Sequence, residues 1–234
     1  MKDGARIRSM FASISRRYDL LNHLLSLNRD KQWRKKAVEM SRLGGGEKTL
    51  DVCTGTADLA PAYSGAVGAG GMVVGTDFCP EMLDIGKRKL ASETHRGRVE
   101  LTVADTLALP FADGLFDVVS VGFGIRNVAD LRAGLTEMAR VAKRGGRVVI
   151  LEFSLPENRL FNRIYIFYFT RLLPVIGRVV SRSRNDAYSY LPDSVMKFPS
   201  RDEMCGVMRE CGLTEITASA LSLGIVTLYV GRKP

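Results

Sequence analysis

Asp51, Gly55, Thr56, Asp58 and Asp77 fall within one short stretch of the chain, in the order acid, glycine, hydroxyl, acid, acid. Glycine lets a backbone approach a ligand closely, and an acid at the end of the next strand accepts hydrogen bonds from ribose hydroxyls. The turn lacks the three glycines of G-x-G-x-x-G, and no G-K-[ST] follows, so it is neither the dinucleotide fingerprint nor a P-loop. No Lys or Arg lies in residues 54–62, so a diphosphate would find little positive charge there. Acids around a glycine turn instead suit a nucleoside with a cationic end, such as S-adenosylmethionine (SAM). An ordinary strand-to-helix turn that binds nothing has the same pattern, and the turn alone leaves both readings open.

The elements that must position these groups are legible as an alternation of strands and helices. Residues 49–53 read as a short buried strand, the turn opens an apolar helix, and 72–77 form a second strand ending on Asp77. Residues 99–104 alternate as a third strand with Asp105 and Thr106 at its end, and 116–121 form a fourth that runs into Gly122-Phe123-Gly124-Ile125-Arg126-Asn127. Ligands of open parallel sheets bind beyond the carboxyl ends of the strands. The series Asp51, Gly55, Thr56, Asp77, Asp105, Thr106 and Gly122 is therefore the expected cofactor set, with Asp77 on the ribose, Asp105 and Thr106 at the adenine and Thr56 at the methionine end. The series is similar to class I methyltransferases.

Composition narrows the class. At 234 residues and 46% hydrophobic content, one domain with a sizeable core is expected. We divide it into an N-terminal helical region (1–46), a SAM-binding core (47–154), a helical substrate lid (155–200) and a C-terminal helix with a strand pair (201–234). The strands at 213–218 and 225–231 should pair antiparallel. The expected fold is α/β and Rossmann-like: a mostly parallel seven-stranded sheet, helices on both faces and an antiparallel last strand. The net charge of +9 favours acidic partners, either membrane headgroups or nucleic acid. Four cysteines without a C-x-x-C pair and only two histidines argue for reduced thiols and against a zinc or multi-histidine centre. The first residues carry no apolar core of a signal peptide, so a cytoplasmic location is expected.

Residues 160–180 are very apolar, but Arg163, Arg171, Pro174 and Arg178 interrupt them. A spanning helix needs about 20 apolar residues with few charges. The expected aromatic pattern crowds every face rather than one stripe, which favours a lid over an apolar substrate, with arginines toward lipid headgroups, over a core helix capping the sheet.

Several blocks carry a family resemblance. Phe11, Tyr18-Asp19 and Asn22, Ser26-Leu27 with Trp33-Arg34, Leu109-Pro110-Phe111, Phe123-Gly124-Ile125-Arg126-Asn127-Val128, Leu151-Glu152-Phe153-Ser154, Tyr188-Ser189-Tyr190-Leu191 and Gly224-Ile225-Val226 resemble the ubiquinone/menaquinone biosynthesis C-methyltransferases. The likeness covers nearly the whole chain. Three departures stand out: Ala57 replaces a usual glycine, Gly122 replaces a serine of some members, and Asn28-Arg29-Asp30 replaces a segment that often reads Gly-x-His.

The resemblance implies methylation of a ring carbon of a polyprenylated quinol, demethylmenaquinol or its benzoquinol counterpart, with SAM as cofactor and no metal. It also implies peripheral contact with the inner face of an anionic cell membrane, and it is compatible with a homodimer. A phenol titrates near pH 10, so a nearby cation must favour the phenolate. Arg126 is the best-placed cation, to stabilise the phenolate or orient a water that takes the proton, with Asn127 fixing it or the quinol oxygen; Tyr188 and Tyr190 are read evenly as ring-pocket or packing residues. A salt bridge between Arg126 and Asp130 is the competing assignment. Glu152 reads as a structural acid at the sheet end, and His23 and His95 lie outside every strand-end station.

A nucleic-acid methyltransferase and a non-catalytic SAM-binding subunit are the rival functions. The loop after the fourth strand is not the Asn/Asp-Pro-Pro-aromatic type used on bases, Cys79 precedes Pro80 rather than following it, and no base-flipping apparatus is visible. No nucleic-acid partner is therefore expected.

Overall fold

The computed structural model describes residues 4–91, 98–172 and 187–234. His95, Arg178 and part of the expected lid lie outside them. Helices α1 (Gly4–Leu25) and α2 (Arg29–Ser41) precede the sheet. The predicted single N-terminal helical region is thus two helices. The break falls where Leu27 and Asn28 adopt left-handed backbone angles, which only isolated residues tolerate.

Seven strands follow: β1 (Lys48–Val52), β2 (Met72–Asp77), β3 (Val99–Val103), β4 (Phe116–Gly122), β5 (Ala142–Phe153), β6 (Thr214–Leu221) and β7 (Val226–Arg232). They form one sheet in the order β3-β2-β1-β4-β5-β7-β6. The first five pair in parallel, with Leu50 opposite both Val74 and Val119. β7 runs antiparallel to both β5 and β6. The expected architecture is the one found, and the edges differ from the expected bounds by a few residues, most at β5.

The central strands are apolar on both faces because helices cover both. In β5, Val148 and Ile150 pack on the side of α5 (Leu131–Val141) and α8 (Arg201–Glu210), beside Leu135, Met204 and Met208. Val149 and Leu151 pack on the other side with Trp33 and Ala37 of α2, Tyr63 of α3 (Ala60–Val67) and Leu90 of α4 (Pro80–Ala91). α6 (Arg159–Phe167), which continues as a wider helical turn to Leu172, and α7 (Ala187–Met196) lie over the carboxyl end. Phe161, Ile164, Tyr165, Tyr168 and Phe169 all face one cavity. They recur at helical spacing, so the aromatics form a stripe rather than crowding every face, and Leu160 and Phe167 are left exposed.

Candidate active site

The strand ends meet the first requirement, a cradle for a nucleoside. Asp77 closes β2, is buried, and accepts the backbone N–H of Gly55 at 2.9 Å and of Cys79 at 2.9 Å. Burial raises its carboxyl, and the bonds from Cys79 and Gly55 oppose that rise. Gly55 has φ +58, and a Cβ there would point at Met82 and Tyr18. The missing side chain leaves the cradle open. A cleft of about 90 Å³ lies here, lined by Gly55, Asp77, Asp105, Thr106, Gly122 and Asn127, among others. Five of the seven predicted cofactor residues thus converge, and their donor set fits a nucleoside: a carboxylate for hydroxyls and backbone groups beside it. A ligand site usually measures about 300–1,000 Å³, and Gly4, Phe11 and Tyr18 of α1 cap this one.

Two predicted cofactor residues do not reach the cleft. Asp51 is buried beneath the turn, accepting from Thr54 at 2.7 Å and Ser120 at 2.9 Å. It holds the turn from below, and burial pushes its carboxyl up to about 6. Thr56 donates its hydroxyl to Asp19 of α1 and lines neither cavity. Asp58, expected to attract a cationic ligand end, already holds Lys89 of α4 and Arg34 of α2. The turn itself carries no cation, as read from the sequence, but neighbouring helices supply two.

The second requirement is room for an apolar substrate. A cavity of about 660 Å³ lies beneath α1, α2, α6 and α7, and shares Phe11, Tyr18 and Phe123 with the nucleoside cleft. An aromatic cluster forms its floor: Phe123 and Phe153 have centroids 4.7 Å apart, and Trp33 is 6.0 Å from Phe123. Tyr165 stacks on Phe169 at 5.0 Å. The Trp33 indole N–H donates to the Ser222 hydroxyl at 2.8 Å, which ties α2 to the β6–β7 turn.

Polar groups enter this wall at two points. Arg126 sits in a 3₁₀ turn after β4 (Ile125–Asn127), is buried, and places its guanidinium carbon 5.4 Å from the Phe153 ring centroid. Its partner is Glu152, at 2.7 Å, and not Asp130. Asp130 instead caps α5, accepting from the Ala133 N–H at 3.0 Å, as an N-cap acid does. Asn127 lines the nucleoside cleft, and its Oδ1 accepts the Tyr190 hydroxyl at 3.0 Å. Tyr188 lies in α7, and its side chain is outside the described residues.

At the second point Asp30 accepts from Ser26 at 2.7 Å, from Arg34 and from His23 at 2.8 Å. Burial alone would raise its carboxyl, but these partners outweigh it and hold it below the ordinary range. Tyr18 stands between the two points. Burial raises its hydroxyl, opposed by the charges of Arg126 and Arg34 and a bond with Asn22.

Sequence reasoning quoted Tyr18, Trp33, Arg34 and Phe123 only as points of resemblance, and it placed His23 away from every station. The amphipathic register of α2, with Asp30, Trp33, Arg34 and Ala37 buried among charged neighbours, was the available signal. It does not say which cavity those side chains face.

A glycine turn beneath a buried strand-end acid, in a seven-stranded sheet with an antiparallel β7, defines a class I methyltransferase fold. The structure resembles a SAM-dependent methyltransferase from Aquifex aeolicus with TM-score 0.63 and 18% identity, covering 85% of this chain and 88% of that one. The chain belongs to the ubiE/COQ5 methyltransferase family, whose model matches residues 1–233. It is 50% identical over 98% of its length to a ubiquinone/menaquinone biosynthesis C-methyltransferase of Geobacter sp. (strain M21), covering 97% of that protein. A demethylmenaquinone methyltransferase of Halalkalibacterium halodurans is 42% identical, over 97% of this chain and 92% of the relative.

Proposed function

We propose that the protein moves a methyl group from SAM to a ring carbon of a polyprenylated quinol, with demethylmenaquinol as the substrate. The chain is a SAM-dependent C-methyltransferase of the quinone-biosynthesis type. The observation that carries the finer reading is the large aromatic cavity that shares three residues with the nucleoside cleft and holds Arg126 in its wall. When bound, SAM supplies an electrophilic methyl on a positive sulfur.

The protein's part is to hold ring carbon and methyl near attack distance and keep water out. Phe123, Phe153 and Trp33 give the ring an aromatic floor to lie on. Arg126 stabilises the phenolate that makes the ring carbon nucleophilic. The hydroxyl proton passes to water as the phenolate forms. As the ring carbon takes the methyl, the methyl's bond to sulfur breaks and S-adenosylhomocysteine is left; the ring carbon then gives up a proton and the ring oxygen takes one back, so that one proton is released overall.

The test is the mass of quinols incubated with the protein and labelled SAM. A gain of one methyl on demethylmenaquinol is expected, and methylation of a benzoquinol alone would redirect the substrate assignment. Arg126→Ala should lower kcat about a hundredfold with SAM affinity nearly intact. Arg126→Lys keeps the charge but not the planar fork and should recover only part of the rate. Near-normal turnover of Arg126→Ala would sink the phenolate role.

The quinol tail points to a membrane. No helix among the described residues is long and apolar enough to cross one. Yet Leu27, Ile164 and Leu223 line the cavity while 80%, 59% and 77% exposed, and Arg29, Arg159 and Arg163 are exposed nearby in sequence. Apolar side chains around an opening with arginines beside them suit an anionic lipid surface. Binding to anionic vesicles should weaken as salt rises, since screening acts over about 10 Å at 0.1 M. Salt-independent or absent binding would remove the membrane part and leave the chemistry standing.

A further inference from the structure

Glu152 is the last polar residue of β5, fully buried, and of its three contacts two are to Arg126 in the 3₁₀ turn. Its Oε1 takes the Arg126 guanidinium at 2.7 Å and the Phe153 N–H at 2.9 Å, and its Oε2 takes the Arg126 backbone N–H at 3.3 Å. The carboxylate therefore grips both the backbone and the side chain of Arg126. The guanidinium also donates to the Phe123 carbonyl and lies over the Phe153 ring, so its plane is fixed against the cavity wall. A guanidinium with a carboxylate at contact distance exerts much less field on a third group than a lone cation does.

We propose that Glu152 is a positioning residue. It fixes Arg126 at the cavity wall and, by cancelling part of its charge, sets the pH at which the bound ring hydroxyl gives up its proton. The inference rests on the phenolate reading of Arg126 given above.

The other titratable groups facing the pair come from every element packed around it. They are Tyr18 on α1, Cys53 after β1, Tyr165 on α6, Tyr190 on α7 and Tyr229 on β7. Burial raises all five above their ordinary values, so they stay neutral between pH 6 and 9. Arg34, also in the cavity wall, has its charge engaged by Asp30 and Asp58. Arg29 and Asp30 also line the cavity, Asp51 and Asp77 act on Cys53 from the cleft side and Arg201 on Tyr229, while the Arg126–Glu152 pair is the one set against the aromatic floor.

Glu152→Gln and Glu152→Asp in the full chain, checked for folding by circular dichroism and thermal melting, test this. Two quantities are read: kcat against pH with demethylmenaquinol in detergent, and the ultraviolet titration of quinol bound with S-adenosylhomocysteine. Glu152→Gln should lower the midpoint of both curves by about one pH unit, a tenfold gain in phenolate at a given pH. Glu152→Asp withdraws the charge by one methylene and should shift the midpoint in the same direction by less, with a severalfold loss of kcat from the loosened guanidinium. A purely structural carboxylate would change kcat and leave the midpoints where they are. Unmoved or raised midpoints overturn the proposal, and Glu152→Asp decides alone if the Gln variant does not fold. If Arg126→Ala keeps its rate, the phenolate reading fails. If Arg126→Ala loses its rate while the Glu152 variants leave the midpoints unmoved, only this inference fails.

Discussion

The nucleoside cleft and the quinol cavity share Phe11, Tyr18 and Phe123, yet the chain builds them in different ways. The cleft comes from backbone: strand ends, a left-handed glycine, and N–H groups gathered on one carboxylate. The cavity comes from side chains delivered by four helices and a hairpin turn, with contributing residues as far apart as Met10 and Ile225. A backbone site depends on a few positions that admit one residue type. A side-chain site depends on shape, spread over many positions that each contribute a little. Substitutions in the two regions should therefore differ in size as well as in which ligand they affect.

The largest effect is expected at Asp77. Asp77→Ala removes the acceptor of two buried N–H groups and the partner of the ribose hydroxyls. Charge-assisted bonds contribute about 1.5–3 kcal/mol each, so SAM affinity should fall about a hundredfold or more by calorimetry. Unchanged affinity in a folded variant would end the contrast, because the cleft would then not hold the cofactor.

Asp51 sharpens the comparison through stability. Its carboxyl is raised by burial from the ordinary 3.8 to about 6, against the bonds from Thr54 and Ser120. A group whose folded value is raised stabilises fully below its unfolded value, and that contribution is lost as pH climbs through the folded one. Asp51→Asn should therefore be more stable than the parent at pH 8, by up to about 3 kcal/mol, and the gain should vanish by pH 4. Urea melts at both pH values check this, and a constant difference would contradict it.

On the cavity side, Leu223→Glu and Ile164→Glu place charge at the exposed opening. Quinol KM should rise about tenfold, with SAM affinity and folding stability unchanged, since exposed substitutions usually move stability by less than about 0.5 kcal/mol. A matching loss of SAM affinity would mean that the two regions are not separable. The smallest effect belongs to Tyr190→Phe, which deletes the 3.0 Å bond to Asn127. About 1 kcal/mol for a single hydrogen bond corresponds to a kcat loss of about fivefold.

The same contrast explains what was legible in the sequence. The seven strands, the antiparallel β7 and five residues that converge on one cleft could be read because hydrophobic period, glycine and strand-end acids are local signals. The roles of Asp51 and Thr56 could not, since their partners Ser120 and Asp19 lie far off in sequence. Arg126 is legible as the cation just past β4, but its partner is not: Asp130, of the competing reading, is close along the chain, whereas Glu152 becomes adjacent only when β5 pairs with β4. Asp30 and Arg34 stand four residues apart on α2, a local pairing signal, but that spacing does not show that His23 joins them at the cavity. Ala57, where the family usually has glycine, lies at φ +61, a backbone angle that favours glycine.

The direction of β7 has one more consequence. Because it runs against its neighbours, its beginning lies beside the ends of the other strands, with Val226 opposite both Phe153 and Leu221. A hairpin turn, Ser222–Gly224, is thereby delivered to the edge where a parallel strand would have ended. That turn holds Trp33 and places Leu223 at the cavity opening, while no residue of it lines the nucleoside cleft. The antiparallel strand thus furnishes the carboxyl edge with a loop that belongs to the cavity alone.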